Sequence, residues 1–579
     1  MQPLNHRNVS RRILRLAPPV VFKSVFVVLC LLGPAPAWAG GVVTNCTEAS
    51  LRAAMAGGGT VTFACDGTIT LGNMITCSSD TALDGTGHDV TISGNCTVPV
   101  FYVNPAVTLS VSNLTIADGR ASQGAGILNA GGTVNLNTVT FRLNIAPVGG
   151  AIYNASGQMI LQSCDFTDNR ASTAYASQAT FGGAIYNLAS MDLDNCQFTG
   201  NTASGASGTF IMGIGPVGPG EGSGGAIYNA GQLTIDRTTF SANATYGGMG
   251  YIGPGITGTL NGDTGGNGAN GFGGAICNLG SLGIDRSTLC SNVVMGGSGG
   301  QGGYGIWYMD IGGNGGNGGN GAIGRGGALF NAGSAELVNC TITASMAQGG
   351  TGGTGGSGAG KTGYGGNGGG GGIGIDGGVS GSCSFVNCTI AWNASVGGAG
   401  GAGGGAINFP PGLPGSSGSA SGANPTGFLL NTLLFSNHPA GNDTFADPKL
   451  GPLADHGGPT LTMALQPDSP AINAGSAVGA PAADQRGVVR PQGPGVDIGA
   501  FEFRCPQFVG TALENATNYR LQMTGLEPCQ AFAVQVSSNL LNWIAITNFI
   551  VGTNGGLEFC TPLSPAVPAH FYRLKAVAP

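Results

Sequence analysis

Three aspartates and two arginines recur at fixed positions of a repeated pattern and are the strongest candidates for chemistry. Asp194, Asp236 and Asp285 each close a segment apolar-x-apolar-Asp, and Arg237 and Arg286 directly follow the last two. Paired carboxylates serve as acid and base in glycoside hydrolysis, and a carboxylate cluster that binds calcium supports lyase chemistry. Stacked carboxylates also repel one another unless a cation or arginine intervenes. These residues therefore predict either a catalytic or calcium site, or a charge ladder neutralised by the arginines.

The candidate residues lie in a pattern that occurs nine times between residues 109 and 435. Each copy reads apolar-x-apolar-x, continues with Asn, Thr, Ser or Arg, and ends on Phe, Leu or Ile, as in "MDLDNCQF" and "LTIDRTTF". The period-2 alternation slips by one residue within each copy, which predicts two short strands joined by a tight bend. Asn suits such a bend because it tolerates left-handed backbone angles.

A glycine-rich motif precedes most copies, and it reads "GGAIYN" unchanged at 149–154, 182–187 and 224–229. From its Asn to the Asn after the Phe the distance is 14 or 15 residues in every clear copy, whereas the Gly-rich insertions between repeats grow along the chain. A constant core with variable loops at one corner predicts a parallel β-helix, in which each repeat stacks on the previous one. Because the motif recurs, we expect it to build coils, and we expect function to lie on residues that are not repeated.

Stacked repeats place equivalent side chains in columns. We expect structural ladders from Asn154, Asn187, Asn229, Asn278, Asn331, Phe166, Phe198 and Phe240. A further ladder, or alternatively a sugar-binding platform, is expected from Tyr153, Tyr186 and Tyr228. One inward column contains cysteines that are either small apolar residues or bridges between neighbouring coils: Cys164, Cys196, Cys340 and Cys388.

Composition and the N-terminus indicate a compartment and exclude one class of partner. The net charge is −7 and the chain has no Lys/Arg stripe, which argues against nucleic acid. A basic region, the apolar run "SVFVVLCLLG" and the cleavage-like Ala37-Trp38-Ala39 predict a signal peptide over residues 1–39. No later segment reaches transmembrane length. We therefore expect an exported protein, extracellular or on the outer surface of a bacterial cell, in which disulfides can form.

The glycine insertions and the C-terminal part lack the repeat pattern. Tracts such as "GGNGGNGGNG" carry almost no carboxylates, so we expect long flexible or collapsed loops and no calcium-binding repeat. Pro, Gly and polar turns over 446–503 predict an irregular cap over the last coil. Short strand-like runs over 504–579 predict a small all-β domain, a sandwich by spacing, in which Cys505, Cys529 and Cys560 form one bridge and leave one thiol.

Several motifs resemble known families. GGA-[ILV] followed by F-x-x-N, as in "GGAIYN…FTDN", is similar to the repeat of the chlamydial polymorphic outer membrane proteins, which implies a right-handed β-helix surface adhesin. The opening "CTEASLRAAMAGGGTVTFACDGTITL" resembles the first coils of the pectin-lyase-like superfamily. "DPKLGPLADHGGPTLTMAL", "SPAINAGS", "DQRG" and "DIGAFE" resemble the choice-of-anchor Q domain of secreted bacterial β-helix proteins.

Together these observations predict an all-β chain with a signal peptide (1–39), a right-handed parallel β-helix (40–445), an anchor-associated cap (446–503) and a small β-sandwich-like domain (504–579). We expect a non-catalytic role in adhesion to an extracellular polysaccharide or protein ligand. No cofactor is expected, with calcium at the three aspartates as the alternative. The alternative functions are a polysaccharide lyase or hydrolase, of pectate-lyase or polygalacturonase type, and a structural envelope component.

Overall fold

The computed structural model of this chain is built almost entirely from β-strands, most of which lie in long parallel sheets. It describes residues 40–255, 260–309, 311–360, 364–371, 373–421, 426–437, 444–504, 507–515, 518–525, 531–550, 557–562 and 571–576. The predicted signal peptide (1–39) lies outside the described residues. The expected all-β, mainly parallel architecture is confirmed.

The largest sheet has 19 strands in two parallel columns. The first column contains Ile75–Cys77, Phe101–Val103, Ile185–Asn187, Ile227–Asn229, Ile276–Asn278, Leu329–Asn331 and Val379–Ser380. The four of these strands that end in Asn carry the end of the glycine-rich motif. The second column contains Val42–Val43, Gly59–Phe63, Thr81–Asp84, Thr108–Ser112, Ser190–Asp194, Gln232–Asp236, Ser281–Asp285, Ser334–Val338, Ser382–Val386 and Thr426–Leu430. Two long strands, Ile127–Asn137 and Ile152–Gln162, take part in both columns.

Three further parallel sheets follow along each repeat. An 11-stranded sheet contains Gly67–Thr70, Val90–Ser93, Thr115–Ala117, Thr140–Arg142, Asp165–Thr167, Gln197–Thr199, Thr239–Ser241, Thr288–Cys290, Thr341–Thr343, Thr389–Ala391 and Leu433–Phe435. One six-stranded sheet contains Arg170–Ser172, Thr202–Ser204, Ala244–Tyr246, Val293–Met295, Met346–Gln348 and Ala394–Val396. The other contains Thr180–Phe181, Gly222–Ser223, Gly271–Phe272, Gly324–Arg325, Gly374–Ile375 and Ala420–Ser421.

Equivalent residues of successive repeats pair directly across these sheets. Phe166 pairs with Phe198, and Phe198 pairs with Phe240, so that their side chains fall in one column. The phenylalanines are fully buried in a single apolar core that extends along the stacked repeats. A register that stays constant from repeat to repeat is the arrangement expected of a parallel β-helix.

A left-handed residue separates the second column from the 11-stranded sheet in all nine repeats. Asn occupies five of these bends and Thr, Ser or Arg occupies the others: Asn113, Thr138, Ser163, Asn195, Arg237, Arg286, Asn339, Asn387 and Asn431, with φ between 45° and 56°. The slip in the period-2 pattern therefore marks a bend at which the chain passes from one sheet to the next.

A short helix, Glu48–Met55, lies at the start of the described chain. Thr47 caps its N-terminus by accepting a hydrogen bond from the Ser50 N–H, and Leu51 is fully buried. A disulfide joins Cys46 and Cys65, whose Cα atoms are 5.7 Å apart. In the part of the chain that the structure describes, no helix has the length and apolar character needed to cross a membrane.

The C-terminal part has antiparallel pairs. Within 446–503, Leu450–Ala454 pairs with Thr462–Leu465. After residue 504, one three-stranded sheet contains Gln507–Asn515, Asn518–Thr524 and Leu557–Pro562, and a second contains Ala531–Ser537, Ile544–Ile550 and Phe571–Ala576. The two sheets share a buried cluster that includes Leu521 and Phe532. Cys505 and Cys529, two of the three cysteines expected to share a bridge, lie outside the described residues.

Candidate functional site

The three aspartates of the candidate site lie in one column, and each arginine reaches back by one repeat. Asp194, Asp236 and Asp285 are paired partners in adjacent strands. Arg237 Nε donates to Asp194 Oδ1 at 2.8 Å, and Arg286 Nε donates to Asp236 Oδ1 at 3.0 Å. Arg237 Nη2 and Arg286 Nη2 bond the second oxygen of the same carboxylates. The five residues therefore form the charge ladder that the sequence offered as one interpretation.

Each arginine also lies near the aspartate that precedes it. Arg237 Nε is 3.5 Å from Asp236 Oδ2, and Arg286 Nε is 3.4 Å from Asp285 Oδ2. Burial raises the pKa of Asp236 despite the opposing effect of Arg286, and burial also raises the pKa of Asp285. The ladder ends at Asp285, because the next repeat has Asn339 at the position that Arg286 holds in this one. As a result, Asp285 Oδ1 is buried without a hydrogen-bond partner.

An open groove of about 550 Å³ lies on the same outward face of the second column. Polar side chains of four adjacent strands line it, among them Thr234, Ser281 and Glu336. The groove is open above Gly283, where an added Cβ would meet no atom within 4 Å. Glu336 pairs with Gly283 and is therefore a diagonal neighbour of Asp285. The sequence analysis did not single out Glu336. It could have been placed on this outward face, because it holds the same repeat position as Thr234 and Gly283.

The residues expected to form structural ladders are buried and linked from repeat to repeat. The asparagine side chains form a chain of hydrogen bonds of 2.7–3.0 Å through Asn129, Asn154, Asn187, Asn229, Asn278 and Asn331. The rings of Phe141, Phe166, Phe198 and Phe240 stack with centroids 4.5–4.8 Å apart. Amide and ring stacking of this kind fixes the register of the repeats.

The tyrosine and cysteine columns also lie in register. Tyr153, Tyr186 and Tyr228 stack with centroids 5.2 and 4.9 Å apart and are half-buried. The inward cysteines are buried thiols that donate to backbone carbonyl oxygens, as Cys340 does to Val338 O at 3.1 Å. No bridge joins the neighbours Cys164 and Cys196.

The glycine insertions form two hydrogen-bonded layers. Of the two forms expected, flexible or collapsed loops, the flexible one was wrong. Each insertion runs outward and returns. The outgoing layer contains 247–253, 296–305, 349–358 and 397–405, and the return layer contains 262–268, 313–321, 364–371 and 412–418. Within a layer, segments from successive repeats bond to each other every third residue, as Gly299 N–H does to Thr351 O at 2.8 Å. The three-residue spacing is that of the polyproline II helix.

Hydrogen bonds also join the two layers. The Gly300 N–H donates to Gly266 O at 2.7 Å, and the Gly319 N–H donates back to Gly300 O at 2.8 Å. The Gly303 N–H, three residues after Gly300, donates to Asp263 O, three residues before Gly266. The outgoing and return segments therefore run antiparallel. Every segment thus has partners in its own layer and in the opposite layer.

Glycine is required in these layers because the backbones approach too closely for a side chain. A Cβ at Gly319 or Gly369 would lie 1.9 Å from the carbonyl oxygen of a neighbouring segment. At the third position of the period the side chain points to solvent, and Asn317, Thr354 and Asn367 are exposed there. The signal in the sequence is the G-G-x period itself, which repeats in successive insertions.

Asparagines on the outer face of the return layer form an exposed ladder. The Asn317 Oδ1 accepts from the Asn367 N–H at 2.9 Å, and the Asn367 Oδ1 accepts from the Leu413 N–H at 2.9 Å. In a parallel row, the Asn267 Oδ1 accepts from the Asn320 N–H, and the Asn320 Oδ1 accepts from the Gly370 N–H, both at 2.8 Å. These amides give the layer a regular polar face.

Large apolar side chains lie exposed where the outgoing segments turn into the return segments. Trp307–Tyr308 pairs with Ile311–Gly312 in a short hairpin at the turn of the longest insertion. Trp307, Tyr308, Met309, Ile311, Tyr364 and Ile407 are between 49 and 78% exposed, and we call these six residues the apolar tip. They belong to turns of three successive insertions and are not part of the repeat pattern.

The motifs that resemble the choice-of-anchor Q domain lie together in a buried ionic network. Arg486 pairs with Asp484 at 2.8 Å, and Arg490 pairs with Glu502 at 2.7 Å, and all four side chains are at most 2% exposed. The Asp497 carboxylate accepts from the Asn473 N–H at 2.7 Å. Burial of this kind is tolerated only where every charge is paired and hydrogen-bonded.

This segment contacts the last repeat and also extends sideways along the stack. Gly499 N–H donates to Asn431 O at 2.8 Å in the last repeat. Gln485, however, accepts from Thr341 Oγ1 at 2.6 Å and donates to Thr288 Oγ1 at 2.9 Å. Residues 446–503 therefore cover the 11-stranded sheet across several repeats, which the expectation of an end cap did not include.

Comparisons of this chain with protein-family models, with curated proteins and with solved structures found no match. Among the described residues, no group of three or more His, Cys, Asp or Glu is placed to hold a metal ion. The features of the described residues that bear on function are the charge ladder, the groove, the glycine layers and the apolar tip.

Proposed function

We propose that this chain is an exported, right-handed parallel β-helix that acts as a surface adhesin and belongs with the β-helix proteins carrying polymorphic outer membrane protein-like repeats and a choice-of-anchor Q segment. In this proposal the repeats are a rod, residues 446–503 brace it, and 504–579 serve in surface attachment. The ligand is an extracellular polysaccharide or protein.

The observation that carries the proposal is the pair of glycine layers. They consist of backbone packed so closely that side chains are forced outward at every third position. A hydrogen-bonded platform that presents non-repeated side chains suits recognition, because little conformational entropy is lost when a partner binds. The catalytic interpretation is weaker, because the arginines already occupy the carboxylates of Asp194 and Asp236.

The experiment is attachment of the purified mature chain, labelled with a fluorophore, to a panel of bacterial and animal cells and immobilised glycans. We expect saturable attachment to at least one surface. The matched variants are Gly369→Ala, whose Cβ clashes with Gly319 O at 1.9 Å, and Gly370→Ala, whose Cβ has its nearest neighbours at 3.5 Å. Attachment should be lost in the first and kept in the second. Equal attachment of both variants, or none by the wild type, contradicts the proposal.

A polysaccharide hydrolase or lyase is the second candidate, and the groove beside Glu336 and Asp285 is the observation that favours it. Glu336 and Asp285 are diagonal neighbours on one face of adjacent strands, and long side chains in this arrangement can reach each other. A pair of carboxyl groups is the acid and base equipment of glycosidases. Incubation with polyuronates and neutral glycans, with and without calcium, tests this function. Turnover that is abolished by Glu336→Gln would replace the adhesin proposal, and a structural envelope role predicts neither turnover nor attachment.

A further inference from the structure

The apolar tip combines side chains that have no role in folding the layers. Trp307, Met309 and Ile311 are 61, 78 and 59% exposed. The next two insertions add Tyr364 at 49% and Ile407 at 76%. Soluble proteins seldom expose so many large apolar side chains together, and contiguous patches of this kind mark interaction surfaces.

The three turns that carry these residues contact each other, so the tip is continuous. The Ala359 N–H donates to Gly313 O at 3.0 Å, and an added Cβ at Gly360 would lie 2.5 Å from Trp307 Cδ1. Tyr364 packs on Phe409 with ring centroids 4.6 Å apart. The backbone beneath the tip is held as well, because the Ile306 N–H donates to Leu260 O at 2.8 Å.

The described residues of the three turns (304–313, 358–364 and 405–412) include no charged side chain. In sequence, the same stretches contain one acidic and one basic residue, Asp310 and Lys361. The described residues of the tip therefore offer an anionic lipid or a polyuronate no cationic cluster to bind. The ligand must therefore be recognised by apolar contact and by neutral polar groups.

We propose that the apolar tip inserts into the surface of a zwitterionic lipid bilayer. Trp and Tyr are the side chains that favour the boundary between headgroups and acyl chains, and Ile and Met favour the acyl region. A glycan would need only the aromatic faces and would leave the aliphatic side chains in water. The side chains also lie on turns and not in a groove, so a fluid bilayer can close around them, whereas a protein partner would need a matching cavity.

This inference rests on the proposed function, because it names the surface to which the apolar tip of the adhesin attaches. The experiment uses the full mature chain (40–579) and large unilamellar vesicles of phosphatidylcholine, with flotation at low and high salt. We expect the chain to float with the vesicles in both. Trp307→Ser together with Ile311→Ser should weaken partitioning at least about tenfold, because a tryptophan and an isoleucine that contact the bilayer are replaced by small polar side chains. Val478→Ser, at a position 85% exposed in 446–503, should leave partitioning unchanged.

Tryptophan fluorescence gives a second readout. With Trp392→Phe and Trp543→Phe, Trp307 is the only Trp after residue 39, and its emission should shift to shorter wavelength when vesicles are added. No flotation, flotation that requires anionic lipid, or equal flotation of the tip variant would overturn the inference. A change in oligomeric state of the tip variant would instead assign the tip to a second copy of the chain. If tip substitutions abolish attachment to cells while the wild type never binds vesicles, the adhesin proposal stands and the lipid inference fails.

Discussion

At the scale of single residues, the polar side chains of this protein connect one repeat to the next. Arg237 and Arg286 adopt the left-handed backbone conformation at the bend, with φ of 50° and 45°, although this region is unfavourable for a side chain with a Cβ. The bend directs each guanidinium to the Asp of the previous repeat, where two hydrogen bonds offset the backbone cost. Asn144 and Asn169 likewise bond to each other inside the core at 3.0 Å.

The return layer contains Asn-Gly pairs, which normally deamidate when the Gly nitrogen attacks the Asn side-chain carbonyl carbon and ammonia leaves. Here the Gly318 N–H donates to Asn367 O at 2.8 Å, and the Asn317 Oδ1 accepts a hydrogen bond from the next repeat. Both reacting groups are therefore held away from each other. We expect Asn317 and Asn367 to stay intact in the folded chain at mildly alkaline pH and to deamidate in urea, as measured by peptide mass spectrometry. Equal rates in the two states would show that the layer does not hold these groups.

Asp497 makes the stability of the C-terminal segment depend on pH. Burial raises the pKa of its carboxyl from 3.8 to about 6. Because the folded state binds this proton more tightly than the unfolded state, its contribution to stability is present below about pH 4 and is lost as pH rises through about 6. Asp497→Asn should therefore destabilise the chain most at low pH, and the difference should shrink by about 3 kcal/mol toward pH 8. Urea unfolding of both chains across this range measures it, and parallel pH profiles would contradict it.

At the scale of elements, the glycine layers show how a sequence with few apolar side chains still forms an ordered structure. The segments bury backbone against backbone, and each main-chain group that faces another segment is hydrogen-bonded to it, as at Gly353 and Gly356. Glycine loses more conformational entropy on folding than any other residue, so these many hydrogen bonds and close contacts must offset a large cost. The layers also depend on the stacked repeats, because these set the distance between glycine segments of successive insertions.

Gly369 and Gly370 are adjacent and should respond in opposite ways to the same substitution. A Cβ at Gly369 would lie 1.9 Å from Gly319 O, whereas at Gly370 the nearest atoms are 3.5 Å away. We expect Gly369→Ala to destabilise the layers by about 3 kcal/mol or more and to expose them to proteases. Gly370→Ala should be neutral or stabilising by up to about 1 kcal/mol, because it restricts the unfolded chain. Thermal unfolding and limited proteolysis compare the two, and similar behaviour of both variants would contradict the layered packing.

At the scale of the whole molecule, residues 446–503 bind to several of the stacked repeats. Thr288 Oγ1 donates to Leu461 O at 2.6 Å, and the Ala500 N–H donates to Thr389 Oγ1 at 3.0 Å. Apolar side chains complete the contact, with Leu433 of the last repeat packed on Phe501 and Leu465. Repeats that contact only their neighbours can fray from an end, and a segment that crosses several of them opposes this.

Gln485 is the side chain on which this attachment depends most. Its amide is fully buried and bonds to Thr341, Thr288 and Thr460 at 2.6–2.9 Å. Gln485→Ala removes the acceptor of Thr341 Oγ1 and the amide that donates to Thr288 and Thr460, and we expect a loss of about 1–3 kcal/mol in the stability of the attachment. Hydrogen exchange should then increase over 446–503 and over the covered strands, and remain unchanged at Glu48–Met55. Unchanged exchange over the segment would show that the ionic network alone holds it.

Much of the stacked-repeat structure could be predicted from the sequence, because it repeats a local pattern. The alternation in "MDLDNCQF" determines which side chains face the core, and the slip at Asn195 determines the bend. Phe166, Phe198 and Phe240 fall in one column because they hold the same position of the repeated pattern. The aspartates and arginines could also be placed on one outward face, since they share a repeat position. What a pattern of this kind leaves open is which partner each charge selects.

Only the tertiary structure decided the rest, because the relevant partners are distant in sequence and follow no shared period. The guanidinium groups of Arg237 and Arg286 bond to the Asp of the previous repeat and so link neighbouring repeats into the charge ladder. The G-G-x tracts look unstructured alone, since each segment finds its hydrogen bonds about 50 residues away in another insertion, as Gly299 does with Thr351. Gln485 meets Thr341 across 144 residues. Local periodicity therefore determined the coil, and contacts between coils determined the layers, the apolar tip and the brace.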